Sequence, residues 1–194
     1  VNPQNGNALW RNEEGLLTEN YGEARRINAG SPEPLWTGGF NTELSWRGIS
    51  LGIQLEARYG NKVLNQDRSL FEADGSYGDS NIWKGAMNYW KKPGDTNVLP
   101  KPVYINSSNS SAISTRYLED GSYLRIKDIT LAYSLPSKWT KKALMSGVRI
   151  YASALNLYTF HNMNYWDPEH GTSGATIISY PMTRSMIVGV DITF

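Results

Sequence analysis

The side chains best suited to binding a metal lie close together near the C-terminal end of the sequence. His161 and His170 are its two histidines, and Asp167 and Glu169 lie between them. Imidazole nitrogens bind Zn²⁺ and carboxylate oxygens bind Ca²⁺. His170 and the carboxylates are adjacent in one short segment, however, and are not spaced along a scaffold. This spacing favours a turn that shapes a loop, with a metal site as the alternative.

A second group of acids lies among glycines. Asp74, Asp79 and Asp95 have the oxygen ligands that Ca²⁺ takes, but solvated loop carboxylates are the simpler interpretation. The sequence contains no G-x-S-x-G, P-loop or H-E-x-x-H pattern, and no pair of acids can be nominated for glycoside hydrolysis. We therefore predict no cofactor, no bound metal and no catalytic residue, so the chain is not expected to be an enzyme.

The composition excludes several classes of protein. The chain has 194 residues, a net charge of +1 and no cysteine. A nearly neutral balance gives no argument for a nucleic-acid partner, and the lack of cysteine excludes disulfides and thiolate metal sites. No run approaches the roughly 18 apolar residues of a membrane-spanning helix. Strands of a transmembrane barrel alternate between apolar and polar residues and escape that test.

The C-terminal stretch from Thr183 to Phe194 has the clearest alternation. Apolar residues occupy every second position: Met186, Val188, Val190, Ile192 and Phe194. Apart from Ile187, the residues between them are small or polar, which predicts a strand with one apolar and one polar face. An amphipathic edge strand of a soluble sheet has this pattern. So does a barrel strand, whose terminal aromatic ring would lie at the membrane interface.

The segment from Trp36 to Tyr59 reads as a hairpin with two faces. Arg47 and Gly48 form a two-residue turn between strands that end at Trp46 and begin at Ile49. In a barrel, one face would meet lipid together with the C-terminal strand, through Phe40, Leu44, Ile49, Leu51, Ile53, Leu55, Val188, Val190 and Ile192. The opposite face would meet the lumen through Glu43, Gln54, Glu56 and Arg58.

Two further strands complete the predicted sheet. One runs from Ser122 to Leu135, and its apolar phase slips at Lys127-Asp128, which indicates a β-bulge or the point where the strand leaves the membrane. The other begins at Val148, and Leu155 and Leu157 break its phase.

The connections between these strands alternate in length. Arg47-Gly48 and Ser137 to Ser146 are short, whereas Asn61 to Gly121 and His161 to Met182 are long. Short turns on one side and long loops on the other are typical of outer-membrane barrels. Within the first long loop, SNIWKGAMNYWKKPGD predicts a short helix, capped by Ser80 or Asn81 and with Trp83, Met87 and Trp90 on one face.

Four segments in the second half of the sequence stand out: LEDGSYLRIKDITLAYSLP, RIYASALNLYTF, YWDPE and YPMTRSMIVGVDITF. Together they resemble the C-terminal end of SusC/RagA-type TonB-linked (TonB-dependent) outer-membrane proteins. The family's preceding hairpin and loop resemble WTGGFNTELSWRGISLGIQLEARYGN and YWKKPGDTNVLPK. The resemblance implies a 22-stranded barrel with a plug, in the outer membrane of a Gram-negative, Bacteroidetes-like bacterium. It also implies a SusD-like surface lipoprotein as a lid and import of oligosaccharides or peptides driven by TonB.

This resemblance sets the expected organisation. Residues 1–34 would be an extracellular loop segment, and residues 35–194 would hold the last five barrel strands with loops 61–121 and 161–182. Five strands cannot close a barrel in lipid, so we expect the rest of the barrel, the plug and the TonB contact to lie in a larger protein.

Two groups of residues gain a role from the resemblance. It implies that Phe194 is read by the insertion machinery, and that loop aromatics can contact the lid: Trp83, Tyr89, Trp90 and Trp166. The alternative to the transporter is a soluble, aromatic-rich β-sandwich that binds glycans.

Overall fold

The structure, a computed structural model, describes residues 1–76, 81–106, 108–169, 174–176, 180 and 182–194. The chain divides into two compact units, which are described separately. The first unit consists of Val1–Gly30, Leu64–Leu118 and Ala175–Ile178, and the second of Ser31–Val63, Glu119–Gly174 and Ser179–Phe194. The N-terminal segment thus packs with the first long loop. Among the described residues, no helix has the length and apolar character needed to cross a membrane.

Antiparallel β-structure dominates the chain. The strands are β1 (Trp10–Arg11), β2 (Leu17–Thr18), β3 (Trp36–Trp46), β4 (Ile49–Tyr59), β5 (Lys62–Asn65), β6 (Leu118–Asp120), β7 (Tyr123–Ser134), β8 (Gly147–His161), β9 (Ala175–Thr176) and β10 (Ser185–Thr193). The α-helices are α1 (Gln66–Glu72) and α2 (Ser137–Thr140). Short 3-10 helices cover Tyr21–Glu23, Lys84–Met87, Tyr104–Asn106, Thr115–Tyr117 and Lys141–Ala143.

The second unit is built on one five-stranded antiparallel sheet. Its strand order is β10-β8-β7-β4-β3, so these five strands are neighbours in the sheet in the same order in which they occur along the chain. One edge of β10 pairs with β8, and Val190 lies opposite Ile150. Each of the five strands lies where alternation places it.

The turn between β3 and β4 has the predicted form. Trp46 pairs with Ile49, and Arg47 and Gly48 have φ values of 49° and 86°. Two positive φ values in a two-residue loop define a type I′ turn, whose twist matches that of the strands. A Cβ on Gly48 would lie 2.8 Å from the carbonyl oxygen of Ser134, so this position is restricted both in conformation and in space.

The phase slip in β7 is a β-bulge. The register with β4 pairs Gln54 with Asp128 and Leu55 with Ile126, which leaves Lys127 as the extra residue. The register with β8 is also irregular here, where Asn156 takes a φ of 50°. Of the two interpretations of the phase slip, the bulge is confirmed.

The register gives the sheet two different faces. Leu44 pairs with Leu51, Leu51 with Leu131, Leu131 with Ala152, and Ala152 with Val188, so an apolar row crosses all five strands. The residues predicted to meet lipid all lie on this face. In its outer strands and at the hairpin they are exposed: Phe40 57%, Leu44 62%, Ile49 44%, Val188 78%, Val190 56% and Ile192 50%. Leu51, Ile53 and Leu55, in the more central β4, are half-buried.

Exposure of this face argues against a sandwich. Two stacked sheets bury their facing side chains in a core about 10 Å thick. In the part of the chain that the structure describes, the apolar row remains largely open instead.

The short connections between strands lie at one end of the sheet, and the long ones lie at the other end. The backbone N–H of Ser134 donates to Gly48 O at 2.7 Å, and that of Ser146 to Thr193 O at 2.8 Å. These bonds bring the hairpin turn, the connection that holds α2 and the end of β10 to one end of the sheet. The long segments 60–122 and 162–184 start and finish at the other end.

The first unit corrects the predicted helix around Trp83. Within residues 81–95 only Lys84–Met87 is helical, as a 3-10 turn, and Trp83 is its N-cap, whereas the alternative cap Ser80 lies outside the described residues. Beyond it the chain is extended, because the N–H of Trp90 donates to Leu99 O at 2.9 Å and that of Leu99 to Asn88 O at 2.9 Å. Pairing with Leu99 therefore replaces the helical hydrogen bonds that the apolar spacing predicts.

Candidate functional site

The candidate site is a charged cluster on the polar face of the sheet, beside the bulge in β7. An extra residue in one strand lets two consecutive side chains lie on the same side. Here Lys127 and Asp128 both project to the polar face, which Arg125 shares by ordinary alternation and to which β4 contributes Glu56 and Arg58. The turn at Asp167–Glu169 supplies the remaining charges.

Arg125 is the centre of this cluster. Its side chain is fully buried, and its two terminal nitrogens donate to Asp167 and Glu169. A guanidinium presents its donors as a planar fork, which suits two carboxylates held side by side. The turn is shaped to receive it, because Asp167 Oδ1 also accepts the Glu169 N–H at 2.9 Å and Pro168 is fully buried.

Lys127 links this turn to β4. Its Nζ lies 3.0 Å from Glu56 Oε2 and 3.2 Å from Glu169 Oε1. Glu56 is held further by the Tyr123 hydroxyl, which donates to it at 2.7 Å, and by Arg58 Nε at 3.7 Å. Three carboxylates thus face three cations, and the cluster is close to neutral.

A smaller polar triangle continues the same face toward β8. Thr130 Oγ1 and Ser153 Oγ each donate to Asp128 at 2.8 Å, and the two hydroxyls lie 2.9 Å apart. Both hydroxyl groups therefore donate their hydrogen bonds to the same carboxylate. The triangle joins β7 to β8 on the side of the sheet opposite the apolar row.

This arrangement holds a loop in place and does not resemble a catalytic or metal site. Glu56, Asp167 and Glu169 are each neutralised by a cation at contact distance. Among the described residues no group of three or more His, Cys, Asp or Glu side chains is placed to hold a metal ion. His170 and Asp79 lie outside the described residues, so the structure does not address the interpretations that include them.

The predicted lumen residues all lie on the polar face, with different surroundings. Glu43 and Gln54 are exposed, whereas Glu56 and Arg58 belong to the charged cluster. Sequence reasoning missed Arg125 and its ion pairs with Asp167 and Glu169, which we call the Arg125 clamp. The only signal for it was the phase slip beside Arg125, because the carboxylates that bind it lie more than 40 residues away along the chain.

The loop aromatics of the first unit serve mainly as packing. Trp83 stacks on Phe71, with ring centroids 4.9 Å apart. Trp90 is buried, and its Nε1 donates to Pro3 O at 3.3 Å. Tyr89 is half-buried, with Lys91 Nζ 5.4 Å from its ring centroid.

Two other aromatics differ in exposure. Trp166, in the second unit, is half-buried, and its Nε1 has no hydrogen-bond partner among the described residues. The terminal Phe194 is 89% exposed. Contact of any of these aromatics with a lid protein stays a prediction, as does the role of Phe194 in insertion.

Comparisons with known proteins agree with this fold. No protein-family model matches the chain. TonB-dependent receptor P3 of Formosa agariphila is 30% identical over 182 residues, which are 88% of this chain and 17% of the receptor. The RagAB peptide transporter superposes with a TM-score of 0.84 and 29% identity over 100% of this chain and 22% of that chain. This chain is homologous to TonB-dependent receptors and, over its whole length, similar in fold to the RagAB peptide transporter.

A second curated relative and a second solved structure give similar values. TonB-dependent receptor P26 of Formosa agariphila is 27% identical over 203 residues, 97% of this chain and 20% of the receptor. The RagAB peptide importer in its closed-closed state superposes with a TM-score of 0.83 and 28% identity. The chain therefore spans about a fifth of the length of the curated TonB-dependent receptors it matches. These relatives are named as receptors and transporters, which agrees with the prediction of a non-enzyme.

Proposed function

We propose that this chain forms five consecutive wall strands at the C-terminal end of an outer-membrane barrel that imports nutrients with energy from TonB. The apolar row across β3, β4, β7, β8 and β10 meets lipid, and the opposite, polar face meets the lumen. The short connections lie on the periplasmic side and the two long segments on the outside. The imported molecule is an oligosaccharide or a peptide.

The observation that carries this proposal is the division of the sheet into two faces. Side chains such as Leu44, Val188 and Val190 expose more than half of their surface. Fully burying an aliphatic side chain of this size is favourable by about 1.5–3 kcal/mol, so a continuous exposed row is costly in water. Lipid removes that cost, whereas the charged cluster around Arg125 lies on the face turned away from lipid.

The edges of the sheet support the same conclusion. β3 and β10 are its outer strands, and each is paired on one side among the described residues. Within a bilayer, unpaired backbone N–H and C=O groups cost several kcal/mol each, so both edges need further strands. The rest of the same barrel supplies them, together with the plug and the segment that contacts TonB.

The Arg125 clamp would lie on the lumen side of such a barrel. It binds the turn at Asp167–Glu169, which belongs to the second long segment, to the lumen face of the wall. Glu119 holds the same segment independently, because it accepts the N–H of Asn164 at 2.7 Å. Fixing the loop at two points keeps the mouth of the channel in one shape.

The long segments are also the natural contacts for a SusD-like surface lipoprotein. Exposed apolar side chains of the first unit offer a surface for such a lid, including Met87 at 54%, Tyr104 at 77% and Ile105 at 70% exposure. Aromatic and Met side chains are enriched at protein interfaces. Support for this partner is otherwise the likeness to the two-component RagAB transporter.

Fractionation and uptake test the proposal together. Cells from which the gene has been deleted are cultured on a peptide mixture or on an oligosaccharide mixture as the only carbon source. Each culture is compared with one in which a plasmid carries the gene. The protein is expected in the outer-membrane fraction, with a growth defect on one of the two mixtures. The plasmid should restore growth only while TonB is present. Recovery of the protein in the soluble fraction, or growth that is independent of TonB, contradicts the proposal.

A further inference from the structure

The first unit contains a large open cavity whose lining is strongly basic. Its volume is about 990 Å³, and five arginines line it: Arg11, Arg25, Arg26, Arg68 and Arg116. No Asp or Glu is among its described lining residues. The whole chain has 19 basic and 18 acidic residues, so this separation of charge is local and not a result of composition.

Two of the arginines are held by carboxylates that lie outside the cavity. Arg68 Nε lies 2.8 Å from Glu72 Oε1, and Arg116 binds Glu72 at 2.9 Å and Asp74. Glu72 and Asp74 do not line the cavity. Burial opposes the charge of Arg116, but Asp74 and Glu72 more than offset that effect and raise its pKa. These two guanidiniums are therefore rigid parts of the cavity wall.

The other three arginines are open to a ligand. Arg11 donates to the carbonyl of Gly15 at 3.2 Å, and Arg26 lies over the ring of Tyr21 at 5.8 Å. Among the described residues, neither has a carboxylate partner. Arg25 approaches Glu13 only at 4.0 Å, and both side chains are more than half exposed. An exposed pair of this kind contributes little, so Arg25 can turn to an incoming anion.

An aromatic surface accompanies these charges. Trp10 and Tyr21 both line the cavity and pack edge to face, with ring centroids 5.5 Å apart. The Tyr21 hydroxyl donates to Ile113 O at 2.8 Å, which fixes the ring. Rigid rings give a ligand an apolar contact, while guanidinium groups bind oxoanions through paired N–H donors.

We propose that this cavity binds an anionic oligomer, with Arg11, Arg25 and Arg26 contacting its carboxylate or sulfate groups and Trp10 and Tyr21 contacting its backbone. That this oligomer is cargo rests on the proposed import function. Its binding to the cavity does not, and it is measured without transport. The shared ligand chemistry is a chain with repeated oxoanion groups, supplied by an acidic oligosaccharide or an acidic peptide.

The test measures dissociation constants by isothermal titration calorimetry on the purified protein in detergent. The probes are tetragalacturonate, its fully methyl-esterified form, tetraglutamate and tetraglutamine. In each pair the backbone of the oligomer is the same, and uncharged methyl esters or amides replace the side-group carboxylates. We expect at least one charged probe to bind, its neutral counterpart to bind at least tenfold more weakly, and added NaCl to weaken binding because exposed charges are screened.

Two double variants with the same loss of charge locate the site. R11Q/R26Q should weaken binding of the charged probe at least tenfold. R47Q/R149Q, which removes two exposed arginines of the second unit, should leave it within twofold. Thermal unfolding of both variants checks that they fold. The proposal is overturned if neither charged probe binds, if charged and neutral probes bind equally, or if the two double variants behave alike. Which charged probe binds identifies the class of oligomer.

Discussion

Replacing Arg125 with glutamine should release the turn at Asp167–Glu169 from the wall. Removing one partner of a fully buried ion pair costs about 3–5 kcal/mol, because the remaining charge is left without compensation. Here Asp167 and Glu169 keep 17% and 25% of their side-chain surface exposed, and Lys127 remains 3.2 Å from Glu169. We therefore expect the lower value, about 3 kcal/mol, which is roughly a 100-fold change in a local opening equilibrium.

Hydrogen exchange followed by mass spectrometry measures that equilibrium directly. Peptides that cover residues 162–169 should exchange roughly 100-fold faster in the R125Q protein under conditions where exchange follows local opening. The Glu169 amide is the most informative one, since it donates to Asp167. Peptides from β10 should be unchanged, because this strand pairs with β8 and Arg125 lies on β7.

Arg149 provides the matched control. It pairs with Asp191 across β8 and β10 at 3.2 Å, and the two side chains are 42% and 57% exposed. Such exposed pairs contribute about 0–1 kcal/mol, so R149Q should change exchange by less than about fivefold. Equal protection of the turn in R125Q and the unmodified protein would refute the clamp. Loss of protection throughout β7 would show that Arg125 holds the sheet and not the turn.

Three further changes test the wall and its end. Val190→Arg places a charge on the lipid face and should cost about 2–4 kcal/mol at mid-membrane, lowering outer-membrane abundance, whereas Asp191→Asn on the other face should not. Deleting Phe194, or replacing it with Asp, should reduce the membrane fraction at unchanged total protein; equal fractions would show that Phe194 has no role in insertion. Gly48→Ala forces a side chain into positive φ and should cost about 1–2 kcal/mol, seen as a lower unfolding temperature in detergent.

The strands of the wall could be predicted from sequence because their signals are local. Alternation between adjacent residues marks each strand, and the Arg47-Gly48 turn sets the register of β3 and β4. Even the bulge at Lys127 was visible, as a change of phase within a few residues. The same period-two pattern placed the predicted lipid and lumen residues on opposite faces of the sheet.

The candidate site could not be predicted because its partners are distant in sequence. Arg125 meets Asp167 across 42 residues, and nothing near either residue specifies that contact. The helix predicted around Trp83 failed for a related reason. Its apolar spacing was correct, but pairing of Trp90 with Leu99 and stacking of Trp83 on Phe71 determine the local conformation. Tertiary contacts override local pattern most readily in short, irregular segments.

Alternation of environment along β10 is the most direct test of a lipid-facing wall. These 194 residues contain no cysteine, so in a full-length protein whose other cysteines are replaced, single cysteines at positions 187–192 can each carry one nitroxide spin label after reconstitution into lipid. Collision with oxygen, which concentrates in the bilayer, is compared with collision with a water-soluble nickel complex. We predict high oxygen accessibility at Val188, Val190 and Ile192 and higher nickel accessibility at Gly189 and Asp191. Uniform accessibility along the strand, or greater nickel access at Val190, would contradict a wall that faces lipid.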